Sequence, residues 1–161
     1  MIRSLLFPKI LMETKPLLLA DDTIAYIAGI IDGEGSIGIY KNRKYYVPKV
    51  TIANTNLDLL VYIKDCLGMG SITNQMPSIN AKPRYQLCIS GAKAVFQIII
   101  TVRRYLRVKT IPAQIVWAWC LLHNIYDRPK GNKAYPYGTK EADLINSIHR
   151  VNQKGLGICV N

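Results

Sequence analysis

The strongest constraint on the fold of this chain is a pattern that occurs twice. An apolar segment with helical spacing is followed by two short segments in which apolar and polar residues alternate. Helical spacing gives a helix one apolar side, whereas alternation gives a strand one apolar and one polar face. The sequence therefore predicts helices at 24–33, 57–67, 92–105, 112–126 and 140–154, and strands at 36–40, 47–54, 71–76 and 84–90.

This order predicts an α+β fold of the type αββαββα, with extra C-terminal helices. Four strands of these lengths fit one antiparallel sheet, with an apolar face covered by helices and a polar face left open. The 161 residues suffice for one hydrophobic core. We expect residues 1–20 to form an irregular N-terminal arm and residues 21–161 to form a single domain.

The charge of the chain indicates a polyanionic partner. Lysine and arginine number 21 against 10 acidic residues, which gives a net charge of +11 and a pI near 9.6. Nucleic acid is the first candidate and an anionic membrane surface the second, while a basic protein without such a partner stays open. The basic residues at the hairpin tips, Lys41, Arg43, Lys44 and Lys82, favour DNA.

The cysteines and the apolar runs bear on the compartment. The four cysteines are too far apart for a metal knuckle and are typical of reduced core residues in an intracellular protein. No apolar run is long enough to span a membrane, and the N-terminus makes a poor secretory signal, so we expect no membrane partner.

The first predicted helix carries an unusual run of small residues. Ala25, Gly29 and Gly33 lie four apart on one face, flanked by Ala28. A face without side-chain bulk allows another helix to approach closely. Each interior glycine costs about 1 kcal/mol of helix stability, so a packing or functional gain should offset it.

Two acidic residues stand at the end of this helix, where the helix dipole is negative. Asp32 and Glu34 are therefore unfavourably placed unless a divalent cation binds there through hard oxygen ligands. If the small-residue face pairs with its own copy, two Glu34 carboxylates converge beside a basic sheet, as metal-assisted phosphodiester hydrolysis requires. Spacing alone leaves open that Glu34 is a solvated acid in a helix-ending turn.

The segment Ile27–Gly35 resembles the LAGLIDADG motif, and the order αββαββα resembles the homing endonucleases that carry it. The resemblance covers about residues 22–126, including the turn 68–70 and the segment Tyr105–Lys109. A single motif copy is similar to the members that act as homodimers. Two positions depart from the motif: glycine stands at its seventh position and glutamate at its eighth.

The resemblance implies a homodimeric endonuclease that cuts both strands of a long, near-palindromic DNA target and promotes intron mobility. Glu34 would bind the catalytic metal, Mg²⁺ or Mn²⁺ with Ca²⁺ as a non-catalytic substitute, helped by the Gly33 carbonyl. Lys109 would lie near the scissile phosphate, and Asn54 would order water. The motif helix would form the dimer interface, with Asp32 capping or supporting it. The interface residues would be Ala25, Ala28, Gly29, Asp32 and Gly33.

The polar sheet face would recognise double-stranded DNA. Polar side chains there can read base edges in the major groove, while lysine and arginine contact phosphates. A second basic cluster, Arg103, Arg104 and Arg107, would in part contact the DNA backbone. The DNA-binding residues expected are Ser36, Gly38, Tyr40, Lys41, Arg43, Lys44, Lys49, Thr51, Ser71, Thr73, Gln75, Lys82, Arg84 and Gln86.

Two alternatives share this fold and surface. One is an RNA maturase that binds intron RNA and assists splicing, and the other is a DNA-binding protein that does not cleave. The acidic motif argues against the second, because a carboxylate beside phosphates weakens simple binding. Within an intracellular location, the archaeal cytoplasm, the chloroplast and the mitochondrion all fit.

Overall fold

A computed structural model describes residues 15–42, 45–75, 83–122 and 139–154. The order αββαββα followed by further helices is confirmed in these ranges. In chain order the elements are α1 (Asp21–Glu34), β1 (Gly35–Asn42), β2 (Tyr45–Asn54), α2 (Leu57–Leu67), β3 (Ser71–Gln75), β4 (Arg84–Ser90), α3 (Ala92–Val102), α4 (Thr110–Leu122) and α5 (Thr139–Lys154).

The four strands form one antiparallel sheet in the order β1-β2-β4-β3. Its apolar face consists of alternate residues that are all buried, and the helices pack against it. The first helix contacts β1 and β2, α2 contacts β3 and β4 as well as β2, and α3 contacts β2 and β4. The apolar face comprises Ile37, Ile39, Val50, Ile52, Leu87 and Ile89.

The core between the sheet and the helices is formed mainly by aliphatic side chains. Phe96 on α3 and Trp119 on α4 are its largest fully buried members. Burial of apolar surface contributes about 25 cal/mol per Å², so these side chains contribute strongly to folding. The resulting layer of helices holds the sheet from one side and leaves its other face open.

The outer edge of β1 is covered by α5. The Asn152 amide donates to the Ile37 carbonyl at 3.2 Å, and His149 Nε2 lies 3.3 Å from the Ile39 carbonyl. These contacts satisfy main-chain acceptors that an edge strand would otherwise expose to another strand. The C-terminal helix therefore belongs to the same folded body as the sheet.

Several element boundaries differ from the sequence-based prediction, among them the start of α1 at Asp21 instead of residue 24. Helix α3 ends at Val102 rather than at residue 105, because the chain tightens into a turn in which Tyr105 N donates to the Val102 carbonyl. Helix α4 begins two residues early, at Thr110. Strand β1 extends to Asn42 because its pairing with β2 continues as far as Asn42 opposite Tyr45.

The described part of the predicted N-terminal arm lies against α3. Leu17 N donates to Thr101 Oγ1 at 2.9 Å, and Gln97 Nε2 donates to the Lys15 carbonyl at 3.3 Å. Leu17 and Leu19 pack against the core. Residues 15–20 form no regular element, as predicted, yet they are part of the packed body.

Among the helices that the structure describes, none has the length and apolarity needed to cross a lipid bilayer.

Candidate functional site

The first helix presents an open glycine face. Gly29 and Gly33 are exposed, and a Cβ atom added to either would meet nothing within 4 Å. No contact among the described residues therefore requires glycine at these positions, which is consistent with the predicted close approach of a second helix. Ala25 is half-buried at the margin of this face. The prediction for Ala28 is wrong, because its side chain is fully buried in the core and cannot contact a second chain.

The chain leaves α1 directly into β1 through Gly35. A Cβ atom there would lie 2.7 Å from the Ile31 carbonyl oxygen and 2.9 Å from the Ile31 Cα, so only glycine fits. The Gly35 N–H also donates to the Ile31 carbonyl, which completes the last turn. Because the turn is this tight, the chain reaches the polar sheet face at Ser36, only two residues after Glu34.

Asp32 is engaged by hydrogen bonds within the chain. Its carboxylate accepts hydrogen bonds from Arg107 N at 2.6 Å and from Lys109 N at 2.9 Å. The bonds join α1 to the connection between α3 and α4. Asp32 therefore fixes the end of the motif helix, and its place at a dimer interface stays a prediction.

Lys109 lies at the same helix end. Its ammonium group donates to the Asp32 carbonyl oxygen at 2.6 Å, and the residue is half-buried. A cation at the carbonyl end of a helix interacts favourably with the helix dipole. The fold thus brings Lys109 next to the motif, although the two are far apart in sequence. Its place near the scissile phosphate stays a prediction.

Glu34 is the acidic side chain left available at this end of the helix. It is exposed, and it has no hydrogen bond or ion pair to any residue in the described ranges. Its carboxylate and the nearby terminal carbonyl of Gly33 are hard oxygen donors of the kind that Mg²⁺ and Ca²⁺ prefer. No group of three His, Cys, Asp or Glu side chains is present among the described residues. One chain therefore offers only part of a coordination sphere.

The polar face of the sheet has the register that the alternation predicted. Ser36 pairs with Thr51, Thr51 with Cys88, and Cys88 with Ser71, so these four form one row across the sheet. The next row, nearer the end of α1, contains Ala53, Gln86 and Thr73. The residues predicted for this face that are found on it with exposed or half-buried side chains are Ser36, Tyr40, Lys49, Thr51, Ser71, Thr73, Gln75, Arg84 and Gln86.

Tyr40 changes the expected surface at one end of β1. Its ring lies over Gly38, where an added Cβ would come within 3.0 Å of the ring. The Tyr40 hydroxyl is 3.0 Å from Ser36 Oγ, and the Lys49 ammonium lies 5.8 Å from the ring centroid. Gly38 is therefore buried beneath Tyr40 and is not accessible on the polar face, contrary to the prediction that it contacts DNA.

A further prediction is wrong in register. Asn54 alternates with Val50 and Ile52 on the helix side, and its side-chain oxygen accepts from Asn56 N at 2.9 Å in the turn before α2. It does not lie on the polar face. Lys41 is exposed near the end of β1, beside the hairpin tip, and its contact with DNA stays a prediction. Arg43, Lys44 and Lys82 lie outside the described residues.

Two arrangements at the surface were not found from the sequence. Gln75 Nε2 donates to Gln86 Oε1 at 2.9 Å, joining neighbouring strands on the polar face. Arg104 pairs with Asp21 and lies over the Tyr105 ring, 4.7 Å from its centroid. Arg104 is therefore engaged within the chain, whereas Arg103 and Arg107 stay exposed. Alternation could have suggested the glutamine pair, but the Arg104 contact joins residues that are distant in sequence.

Comparisons with known proteins agree with this geometry. A family described as LAGLIDADG endonuclease matches residues 27–114, more than half of the chain. No curated protein sequence matches this chain.

Solved structures share the fold. The homing endonuclease I-CvuI, in complex with its target in the presence of calcium, is 17% identical with a TM-score of 0.53, over 78% of this chain and 94% of that one. The archaeal intron-encoded I-Vdi141I, complexed with DNA, is 18% identical with a TM-score of 0.54, over 83% and 98%. The group I intron-encoded I-CeuI, also complexed with DNA, is 16% identical with a TM-score of 0.54, over 72% and 62%.

Proposed function

Because this chain belongs to the LAGLIDADG endonuclease family, we propose that two copies act together as a divalent-metal-dependent endonuclease. The dimer cuts both strands of a long, near-palindromic DNA target, and the cut promotes the mobility of an intron. Family membership supports DNA cleavage, and the arrangement at the end of α1 supports the pairing and the metal.

The observation that carries the proposal is that the two acidic side chains of the motif differ in their hydrogen bonding. Asp32 accepts two backbone hydrogen bonds within the chain, whereas Glu34, two residues further on, is exposed and unpaired in the described ranges. Beside it, Gly29 and Gly33 leave α1 open to a second helix. Pairing of two such faces about a two-fold axis brings two Glu34 carboxylates together, one for each DNA strand.

Each residue near the end of α1 has a distinct proposed role. Glu34 and the Gly33 carbonyl hold a divalent ion, which supplies charge neutralisation at the phosphate and lowers the pKa of water. Lys109, fixed at the Asp32 carbonyl, adds positive charge near the same phosphate. The polar sheet face positions the duplex, and the net charge of +11 attracts it. Asn54 has no part in this assignment, because its side chain caps the turn into α2.

The oxygen donors at the end of α1 and the ions used with related proteins support the choice of metal. The terminal carbonyls and one carboxylate are oxygen donors suited to Mg²⁺, with Mn²⁺ as a substitute and Ca²⁺ as an ion that binds without supporting cleavage. I-CvuI has been crystallised with DNA in the presence of calcium and, with a different target, in the presence of magnesium with the DNA uncleaved.

The test compares two acid-to-amide substitutions at helix C-termini. We expect Glu34→Gln to lower double-strand cleavage roughly 100-fold or more in Mg²⁺ while specific DNA binding persists, the scale expected for losing a group that stabilises charge in the transition state. Asp65→Asn is the matched control, since Asp65 is an exposed acid near the end of α2.

The target for this assay is first selected from a library of randomised duplexes, and both variants are then measured on it. Undiminished cleavage by Glu34→Gln would refute the metal role, and loss of cleavage by Asp65→Asn would show that the assay reports folding instead. Splicing assistance without any DNA cleavage by the unmodified chain would favour the maturase alternative.

A further inference from the structure

The bonded pair Gln75–Gln86 occupies a defined place on the polar sheet face. Gln86 lies on β4 in the row of Ala53 and Thr73, level with the end of α1. Gln75 lies on the edge strand β3, diagonally across from it. Two strand spacings of about 4.8 Å separate β4 from β1, so the pair lies on the order of 10 Å from the strand that follows Glu34. Ala53 is small and leaves the side of Gln86 toward β2 open.

The hydrogen bond within the pair fixes which groups face outward. A glutamine amide has one carbonyl oxygen and two N–H donors. Gln86 Oε1 accepts from Gln75 Nε2 at 2.9 Å, so this oxygen points along the sheet toward β3. The two N–H groups of Gln86 and the Oε1 of Gln75 are left for a ligand. The pair as a unit therefore presents two adjacent donors and then one acceptor.

This order of groups complements one base pair. In the major groove a G·C pair presents the guanine N7 and O6 acceptors and then the cytosine N4 donor. A lone glutamine instead reads adenine, because its amide donates to N7 and its oxygen accepts from N6. At Gln86 the bond from Gln75 occupies one of the two acceptor positions of the amide oxygen and turns that oxygen toward β3, which disfavours this reading.

We propose that the Gln75–Gln86 pair reads one G·C base pair in each half of the DNA target, with guanine facing Gln86 and cytosine facing Gln75. The proposal rests on the proposed DNA endonuclease function and adds a specificity to it. Because the pair is level with the end of α1, the G·C pair lies in the inner part of each half-site, toward the cleaved bonds.

The test measures base preference position by position. The unmodified dimer and its variants are assayed for binding to, and cleavage of, the selected target with each position replaced by all four base pairs. We expect the unmodified protein to prefer G·C at one inner position by roughly 10-fold or more, the scale of a good bidentate contact. Gln86→Leu should abolish the preference at that position and leave the others intact.

The decisive variant is Gln75→Leu. It releases Gln86 Oε1, so Gln86 becomes a lone glutamine and the preference at the same position should shift from guanine to adenine. Gln114→Leu is the matched control, because Gln114 is an exposed glutamine on α4, outside the polar sheet face. An unfolding temperature equal to that of the unmodified protein verifies that the sheet is intact in each variant.

The outcomes separate this proposal from the one on which it rests. If Gln75→Leu keeps guanine at that position, or if the position relaxed by Gln86→Leu is A·T in the unmodified target, the reading by the pair is wrong while cleavage still stands. If no duplex is selected or cut at all, both proposals fall together.

Discussion

Helices α1 and α2 occupy equivalent places in the two αββ halves of the chain, yet they are built differently. Helix α2 begins with Asn56, whose side chain accepts from Leu59 N at 3.1 Å, and has Asp58 in its first turn. Lys64 lies in its last turn, and Gly68 ends it in the left-handed conformation with φ 64°. Each of these features stabilises a helix end.

Helix α1 lacks most of these features. Its N-cap residue Ala20 makes no side-chain hydrogen bond, its last turn has no basic residue, and Glu34 stands at its negative end. Gly29 and Gly33 interrupt its exposed face without any contact in this chain that requires them. Local departures from favourable helix chemistry cluster at functional sites. The difference between the helices therefore supports the proposal that α1 serves an intermolecular contact and a bound cation, whereas the ends of α2 are stabilised within the chain.

The largest stability effect expected from this comparison concerns Asp32. Asp32→Ala removes two hydrogen bonds to a carboxylate, from Arg107 N and Lys109 N, and should lower the free energy of unfolding by about 3 kcal/mol. Asp65→Ala, at the corresponding end of α2, should change it by less than about 0.5 kcal/mol, since surface substitutions are usually near neutral. Urea unfolding measures both. Equal losses for the two variants would contradict the internal role assigned to Asp32.

A smaller effect, of opposite sign in the two helices, is expected at the glycines. Gly68→Ala should destabilise the chain by about 1 kcal/mol, because alanine is strained at a positive φ. Gly29→Ala should instead stabilise the isolated chain by about 0.5–1 kcal/mol, because alanine is the better helix former and the added Cβ meets nothing within 4 Å.

The free energy of unfolding, measured in dilute solution where the chains are separate, distinguishes the two glycine variants. The same Gly29→Ala change should reduce cleavage, because a second helix can no longer approach as closely. A variant that is both less stable as a separate chain and fully active in cleavage would show that the α1 glycines serve this chain alone.

Local sequence patterns predicted the parts of the fold that repeat at short range. Alternation assigned Ile37 and Ile39 to the buried face and Ser36 and Tyr40 to the polar face, and the register confirms it. The family resemblance failed at Asn54, where alternation with Val50 and Ile52 gives the helix side and the side chain caps the turn to Asn56. Alternation failed at Gly38, because it gives the side of the sheet but not the position of a neighbouring ring.

Contacts between distant residues could not be predicted in this way. Asp32 and Arg107 are 75 residues apart, and no periodicity relates them. The resemblance to a family predicted Lys109 near the scissile phosphate, but its bond to the Asp32 carbonyl is a property of the packed structure. Likewise, Ala28 shares the small size of its neighbours and yet faces the core, because size alone does not define which side of a helix is buried.

A mixing experiment tests most directly whether double-strand cleavage requires the Glu34 carboxylates of both chains in a dimer. Unmodified and Glu34→Gln chains are unfolded together in equal amounts, refolded, and assayed for double-strand cleavage in Mg²⁺ on the selected target. If both carboxylates are needed in a two-fold symmetric dimer, about one quarter of the dimers carry both and about one quarter of the unmodified activity remains. Retention of about one half would show that a single chain makes both cuts on its own, and that result would contradict the paired site at the end of α1.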